Sequence, residues 1–393
     1  MNVALHEDPV FLEVLRHRLT ATADEMCVAL QRTAYSTNIT TRQDFSCAIF
    51  DRAQRVIAQS FSQPVHLGSL VHFVPRIMDA YGVERLEPGD GILCNDGLNG
   101  GVHMNDVCLV SPVFYDDELV AFVATIAHHL DVGGLTPGSI GLAKEIYQEG
   151  FRIPPVRFLN RGELDENIFN LFQANSRSPK ETGGDLRAQI AGIHTGTRRL
   201  SETFDKYGVD TFDRTVSKLI EYSERRTREE IRNIPNGVYK AEGFMDGDGF
   251  TETPIKVVVA ITVEDEKVVF DLTGSDAQRK CPINATYAMT LSNCAYALRV
   301  MMDPGLPINE GFYRTFDVIA PEGSIVNART PAAIGGGWET AFRVCETALE
   351  AFGQCMSERL AAGSKGALCN ISFGGISPRT GEYYVFYEAM GGG

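Results

Sequence analysis

Asn95-Asp96-Gly97-Leu98-Asn99-Gly100-Gly101-Val102-His103-Met104-Asn105-Asp106 leads into two apolar, β-branched runs, Val107 to Phe114 and Leu119 to Ala127. These lead out into His128-His129-Leu130-Asp131-Val132-Gly133-Gly134. Asp116-Asp117 lies between the runs, so the stretch predicts a β-hairpin. A hairpin sets the start of its first strand beside the end of its second. The two glycine-wrapped clusters are therefore expected to meet in space, His103 and Asp106 from one side and His128 from the other. Five of the chain's eight histidines fall between His66 and His129.

Imidazole and carboxylate without thiolate form a ligand set for zinc, manganese or iron(II). His103, Asp106 and His128 are read as ligands of one divalent ion, with hydrogen-bonded loop residues as the alternative. Asp44, in a polar bend before a strand, is open between a fourth ligand and a turn cap. His66 and His72 sit in an apolar helical run and read as core or outer residues. Asp131 can orient a metal-bound imidazole. Either Asp131 or His129 can act as general base, or both can solvate a loop mouth. Glu149 offers a further carboxylate from the Gly- and Pro-rich loop between 133 and 155.

Outward from the hairpin, Phe11, Leu15, Leu19, Met26 and Leu30 predict an amphipathic helix over 9–34, with Pro9 in its first turn. Strands are expected over 44–51, 55–59 and 91–94, and a helix over 67–81 that Pro75 kinks or starts. Helices follow over 163–173, 182–206 and 211–232. From Pro235-Asn236-Gly237 the pattern turns to antiparallel strands at 238–245, 255–263 and 267–272. Next come a helix over 289–302, a strand at 316–319, a helix over 339–360, and strands at 367–373 and 383–387. The expected fold class is α+β and multidomain: a metal-site α+β domain over 1–160, a helical segment over 161–234, and a second α+β domain over 235–393. The closing Gly391-Gly392-Gly393 directly after a strand suggests further chain beyond it.

A net charge of −15 argues against nucleic acid or an anionic membrane surface as partner. Nine cysteines without a C-x-x-C pair disfavour a disulfide framework or zinc ribbon. With no signal peptide and no long apolar run, a cytoplasmic protein is expected. There is no P-loop, dinucleotide fingerprint or G-x-S-x-G elbow. Gly335-Gly336-Gly337 before a helix can cradle an anion or serve as a turn.

Several long stretches carry a family likeness: Asp44 to Asp51, Pro64-Val65-His66-Leu67-Gly68-Ser69, Gly89 to Asp106, His128 to Ser139 and Glu149-Gly150. Asn309-Glu310-Gly311, Pro321-Glu322-Gly323-Ser324 and the closing glycines continue it. Together they resemble the hydantoinase B/oxoprolinase family, whose relatives include the large subunits of acetone and acetophenone carboxylases. The chain departs from the common pattern at Thr41, Gly97 and Val102, none of them a ligand position. The resemblance implies that Asp44, His103, Asp106 and His128 hold the metal. It implies a partner of hydantoinase A type with an actin-like fold, which binds ATP and magnesium and phosphorylates a cyclic amide, in a hetero-oligomer. Metal-bound water then opens the activated ring, with His129, Asp131 and Glu149 as the candidate catalytic groups. The alternatives are an ATP-dependent ketone carboxylase subunit, which shares these residues, and a non-catalytic scaffold that holds a metal structurally.

Overall fold

The hairpin forms as expected, with strands Asp106–Tyr115 and Glu118–His128 joined by Asp116 and Asp117 at φ 49° and 62°. Two successive positive φ values match the twist of the strands they join. The computed structural model describes residues 5–60, 62–360, 362–367 and 369–390, so the closing glycines lie outside the described residues.

In chain order the first elements are α1 (Pro9–Thr33), α2 (Thr37–Thr40), β1 (Phe45–Asp51), β2 (Val56–Gln59), α3 (Pro64–Tyr81), β3 (Gly91–Cys94), β4 (Asp106–Tyr115), β5 (Glu118–His128), β6 (Val156–Asn160) and β7 (Glu163–Leu164). Three helices follow: α4 (Glu166–Ala174), α5 (Pro179–Tyr207) and α6 (Val209–Ile231). The remainder is β8 (Gly237–Met245), β9 (Ile255–Glu264), β10 (Lys267–Asp271), α7 (Tyr287–Val300), α8 (Glu310–Tyr313), β11 (Phe316–Ile319), α9 (Trp338–Gly353), β12 (Cys369–Ile376) and β13 (Tyr383–Met390).

The larger sheet has the order β2-β1-β5-β4-β3-β6-β7. Side chains alternate between its faces with period two, and each face is buried by helices. Cys47, Ile49, Val107, Leu109, Val123 and Ala127 pack with Leu15, Leu19, Met26, Leu186 and Ile193 of α1 and α5. Ala48, Phe50, Cys108, Val110, Phe122 and Ile126 face Leu70, Phe73, Val74 and Ile77 of α3. Burial on both sides explains why β1, β4 and β5 read as continuous apolar runs rather than alternating ones.

The smaller sheet, β11-β10-β9-β8, has a core of its own with α7 and α9. β11 joins it parallel to β10, the other pairs being antiparallel. The last two strands pair with each other and return to the first region, where the Ser372 hydroxyl donates to the Pro137 carbonyl.

Several expected boundaries move by a few residues: the helix expected from 163 starts at Glu166 after the short β7, and the strand expected over 367–373 is Cys369–Ile376. α3 starts at Pro64 and continues through Pro75, the lost backbone N–H being outweighed by burial of Phe73, Val74, Ile77 and Met78 around it. α9 stops at Gly353 instead of 360, with Met356 leaving the helical region at φ −139° and ψ 47° and the Leu360 side chain packed back on Gly353.

α3 and α7 join the two halves at Gly68, where a Cβ would lie 2.5 Å from Ser292 Oγ and 2.7 Å from Ser292 Cα. Ser292 Oγ donates to the Val65 carbonyl across the same contact. Gly68→Ala is expected to cost ~1–3 kcal/mol of stability, the usual penalty for overpacking a rigid contact. Gly375→Ala, with nothing within 4 Å of the new Cβ, should stay near wild type. Urea midpoints of the two variants check this. Equal midpoints would mean that the helices separate freely.

Candidate metal centre

Strand register builds the centre. His128 is the cross-strand partner of Asp106, and Phe45, next to Asp44, is the partner of Ala127. The His128 N–H donates to the Asp44 carbonyl at 2.9 Å, which carries the pairing one residue further. Asp44, His128 and Asp106 therefore form a row across three adjacent strands, and the even parity puts all three on the face that α3 covers. His103 closes the row from the glycine loop, where the Asp106 N–H donates to the His103 carbonyl at 3.0 Å. Asn95 holds that loop in shape, donating to the carbonyls of Met104 and Phe151 and accepting from the Ile153 N–H.

Three imidazole nitrogens converge on the Asp106 carboxylate. His103 Nε2 stands 3.3 Å from Oδ2, while His128 Nδ1 and His66 Nε2 stand 3.3 Å and 3.4 Å from Oδ1. Asp44 lies 3.8 Å from His128 and 3.9 Å from His66. His103, Asp106 and His128 bring one ligand atom each within 4.8 Å of one another, with Asp44 and His66 at the rim. His66, read from sequence as a core or outer residue, is buried and reaches the cluster from the first turn of α3.

These groups do not satisfy one another. Asp106 is 1% exposed, yet among the described residues neither of its oxygens has a hydrogen-bond partner of acceptable geometry. A buried carboxylate left in that state is costly unless a cation completes it. The protonation states also suit a metal. Burial pushes His103 down to about 4 despite the opposing pull of Asp106, so its ring is neutral. Burial would raise Asp106, but His103, His66 and His128 outweigh it and hold the carboxyl well below the usual range. A neutral His103 ring beside an ionised Asp106 carboxylate is the form of each group that binds zinc, manganese or iron(II), while His66, against the opposing push of burial, is raised by Asp106 and Asp44.

The three other candidates from the sequence are not brought to this cluster. His129 has odd parity and points to the opposite face, where Nε2 meets Gln189 Oε1 at 3.0 Å and the ring packs against Phe172. Asp131 is fully buried and accepts from the N–H groups of Gly133, Gly138 and Arg177 and from the Arg177 guanidinium. It locks the turn after the second cluster. Glu149 accepts from the N–H groups of Ile334 and Gly335 at 2.9 and 2.6 Å, tying its loop to the glycine run before α9. That run carries a carboxylate from its own chain. His72, the remaining histidine of the region, lies against Tyr287.

Aromatic walls that sequence reasoning missed enclose the centre. Trp338 packs edge-on against His103 with ring centroids 5.2 Å apart, and Tyr387 stacks on His128 at 5.3 Å. Arg42 lies over the other side of Tyr387 at 4.8 Å and comes within 3.7 Å of Asp44. Both walls come from residues more than two hundred positions away in sequence, so no local spacing could announce them. A cavity of about 1000 Å³ opens beside the cluster, between α3, α7, α9 and the last hairpin. Among the described residues no helix is long and apolar enough to cross a membrane.

Residues 8–393 match the family described as Hydantoinase B/oxoprolinase. The chain is 33% identical over 401 residues to the B subunit of a putative D-/L-hydantoinase from a Pseudomonas species, covering 98% of this chain and 67% of that one. Over 377 residues it is 33% identical to the beta subunit of the caprolactamase of Pseudomonas jessenii, covering 95% and 64%. A 5-oxoprolinase of Dictyostelium discoideum is 32% identical over 98% of this chain but only 30% of its own length. The chain thus spans about two thirds of the length of these two Pseudomonas relatives. The crystal structure of the ATP-dependent caprolactamase from Pseudomonas jessenii superposes with a TM-score of 0.87 at 30% identity, over 96% of this chain and 65% of that one. Nucleotide-free acetone carboxylase gives 0.89 at 19% identity, over 97% and 53%, a likeness of fold alone.

Protein purified without a metal-binding tag should carry about one divalent ion per chain. Asp106→Asn and His128→Ala should lose it with the fold intact. His66→Ala should keep it with ~10–100-fold weaker affinity, as for a group that supports ligands from behind. Elemental analysis with circular dichroism decides, and unchanged metal content in both Asp106→Asn and His128→Ala would refute the assignment.

A pH effect is expected at Glu149, which burial raises to about 7 against its two backbone donors. A carboxyl with a raised folded pKa contributes stability that is complete below about 4.5 and is lost as the pH rises through about 7. The change is on the order of 3 kcal/mol. Urea unfolding of wild type should weaken across that window, and Glu149→Gln should flatten this part of the slope. Identical slopes would show that Glu149 ionises normally in the fold.

Proposed function

Because the chain belongs to the hydantoinase B/oxoprolinase family, we propose that it is the metal-bearing hydrolytic subunit of an ATP-dependent cyclic-amide hydrolase. One observation carries the reading. The buried Asp106 carboxylate has no hydrogen-bond donor among the described residues, is ringed by three imidazole nitrogens, and borders a cavity large enough for a small-molecule substrate. Asp44, His103, Asp106 and His128 would hold the ion, with His66 behind them. Zinc, manganese or iron(II) held there would supply Lewis acidity and would lower the pKa of water towards neutrality.

The chain's own residues prepare the space. Trp338 and Tyr387 shield the cluster from bulk water, and Arg42 orients both Tyr387 and Asp44. Exclusion of water strengthens every electrostatic contact inside the cavity. His129, Asp131 and Glu149 act as positioning residues: His129 anchors the end of β5 to α5, Asp131 fixes the following turn, and Glu149 secures the approach to α9. Sequence relatives named for hydantoin, oxoproline and caprolactam chemistry support a cyclic amide as substrate.

An unactivated amide is a poor electrophile, and phosphorylating it requires a phosphate cradle with magnesium. The sequence offers no recognised nucleotide motif. Relatives named as B and beta subunits support a second polypeptide. In this reading it is an actin-fold partner of hydantoinase A type that binds ATP and magnesium in a cytoplasmic hetero-oligomer. A reactive phosphorylated intermediate must pass without escape, which calls for an interface of ~2,000 Å² or more.

The chain alone should therefore hydrolyse neither ATP nor a cyclic amide, and co-expression with the actin-fold partner should yield both activities. Assay against hydantoins, oxoproline and lactams with ATP tests this. ATP-dependent ring opening by the chain free of any second polypeptide would defeat it. Incorporation of labelled bicarbonate in place of ring opening would shift the reading to a ketone carboxylase.

A further inference from the structure

Four basic side chains line the cavity beside the metal centre: Arg42, Arg343, Arg359 and Lys365. Arg42 is engaged by Tyr387 and Asp44. Arg359 donates to the Met301 carbonyl, and Lys365 lies 3.4 Å from the Cys369 sulfur. Arg343 differs from these three. Its Nε is buried without a hydrogen-bond partner, and among the described residues its guanidinium enters no ion pair. Two acidic residues of the same helix, Glu346 and Glu350, also line the cavity, but the Glu346 carboxylate is turned to the Ser364 hydroxyl at 2.7 Å.

The fold keeps a passage for this side chain. It runs between Gly243 of β8, where a Cβ would lie 2.7 Å from Arg343 Cδ, and Gly366, where a Cβ would lie 2.7 Å from Nη2. A side chain at either position would collide with the arginine. Arg343 lines the same cavity as His103, Asp106 and His128. A half-buried cation without a counter-ion is costly, and a planar guanidinium fork matches two oxygens of a phosphoryl or carboxylate group.

We propose that Arg343 is the oxyanion anchor of this cavity, gripping phosphoryl or carboxylate oxygens of the substrate while the reacting carbon lies towards the His/Asp cluster. The inference rests on the chain being the hydrolytic subunit and narrows its substrate to an anion. The two sources of that charge are the phosphoryl group of an activated ring and a carboxylate that the ring already bears.

Isothermal titration of the metal-loaded chain with inorganic phosphate and with acetate tests the anchor directly. Wild type should bind at least one probe, and Arg343→Met should bind it ~10-fold or more weakly, as for loss of a charge-assisted contact. Loss confined to phosphate identifies the phosphoryl source, and loss on acetate identifies the carboxylate. If Arg343→Met does not fold by circular dichroism, Arg343→Gln carries the comparison. Wild-type affinity in the folded variant, or no binding of either probe to wild type at millimolar concentration, overturns the proposal. Binding is read without turnover, so failure to open any cyclic amide would remove the functional reading and leave this result standing.

Discussion

The fully desolvated carboxylate of Asp106 at the start of β4 is the constraint around which the first half of this chain is arranged. A charge in that position needs a cation to complete it, and the sheet sets the groups that could hold one beside it by parity. Asp44, His128 and Asp106 occupy one face at the ends of three neighbouring strands. The same face is covered by α3, which brings His66, and by α9, which brings Trp338 against His103. A sheet buried on both sides resists a shift of register, because a one-residue slip would exchange its two cores and scatter the ligand row.

That parity explains what could be read from the sequence. The apolar runs on either side of Asp116-Asp117 announce a hairpin, and a hairpin obliges Asp106 and His128 to meet. It says nothing of the neighbouring strand. Asp44 joins the row through the pairing of β1 with β5, and without the family resemblance its role stayed open. His129 shows the limit of reading by proximity in sequence. It is adjacent to a metal-centre residue yet lies on the other side of the sheet, bonded to Gln189. His66 shows the converse, since an apolar helix pattern conceals that its first turn overhangs a charged cluster.

Asp131 and Glu149 show why a buried carboxylate near a site need not belong to its chemistry. Each is satisfied by backbone N–H groups of glycine-containing segments. Such segments are where the chain needs a side chain to fix its path. The small-residue composition that looks like room for a ligand is here, in part, room for the protein's own carboxylates. The likeness of fold to acetone carboxylase at 19% identity carries the same lesson on a larger scale, for the frame is shared while the reacting groups must be argued separately.

The long reach of the last hairpin has a kinetic consequence. Tyr387 stacks on His128 and its hydroxyl donates to Asn370, so the cavity wall is complete only when nearly the whole chain has been gathered. Contacts between residues so far apart in sequence carry a large loop-closure entropy and form late. During synthesis the row of Asp44, His128 and Asp106 can assemble on the first sheet long before its aromatic cover exists. For that interval the nascent chain would expose a water-accessible cluster of imidazoles and carboxylates, open to whichever divalent ion the surroundings supply. Any metal finally enclosed would then reflect the order of folding as well as the affinity of the finished site.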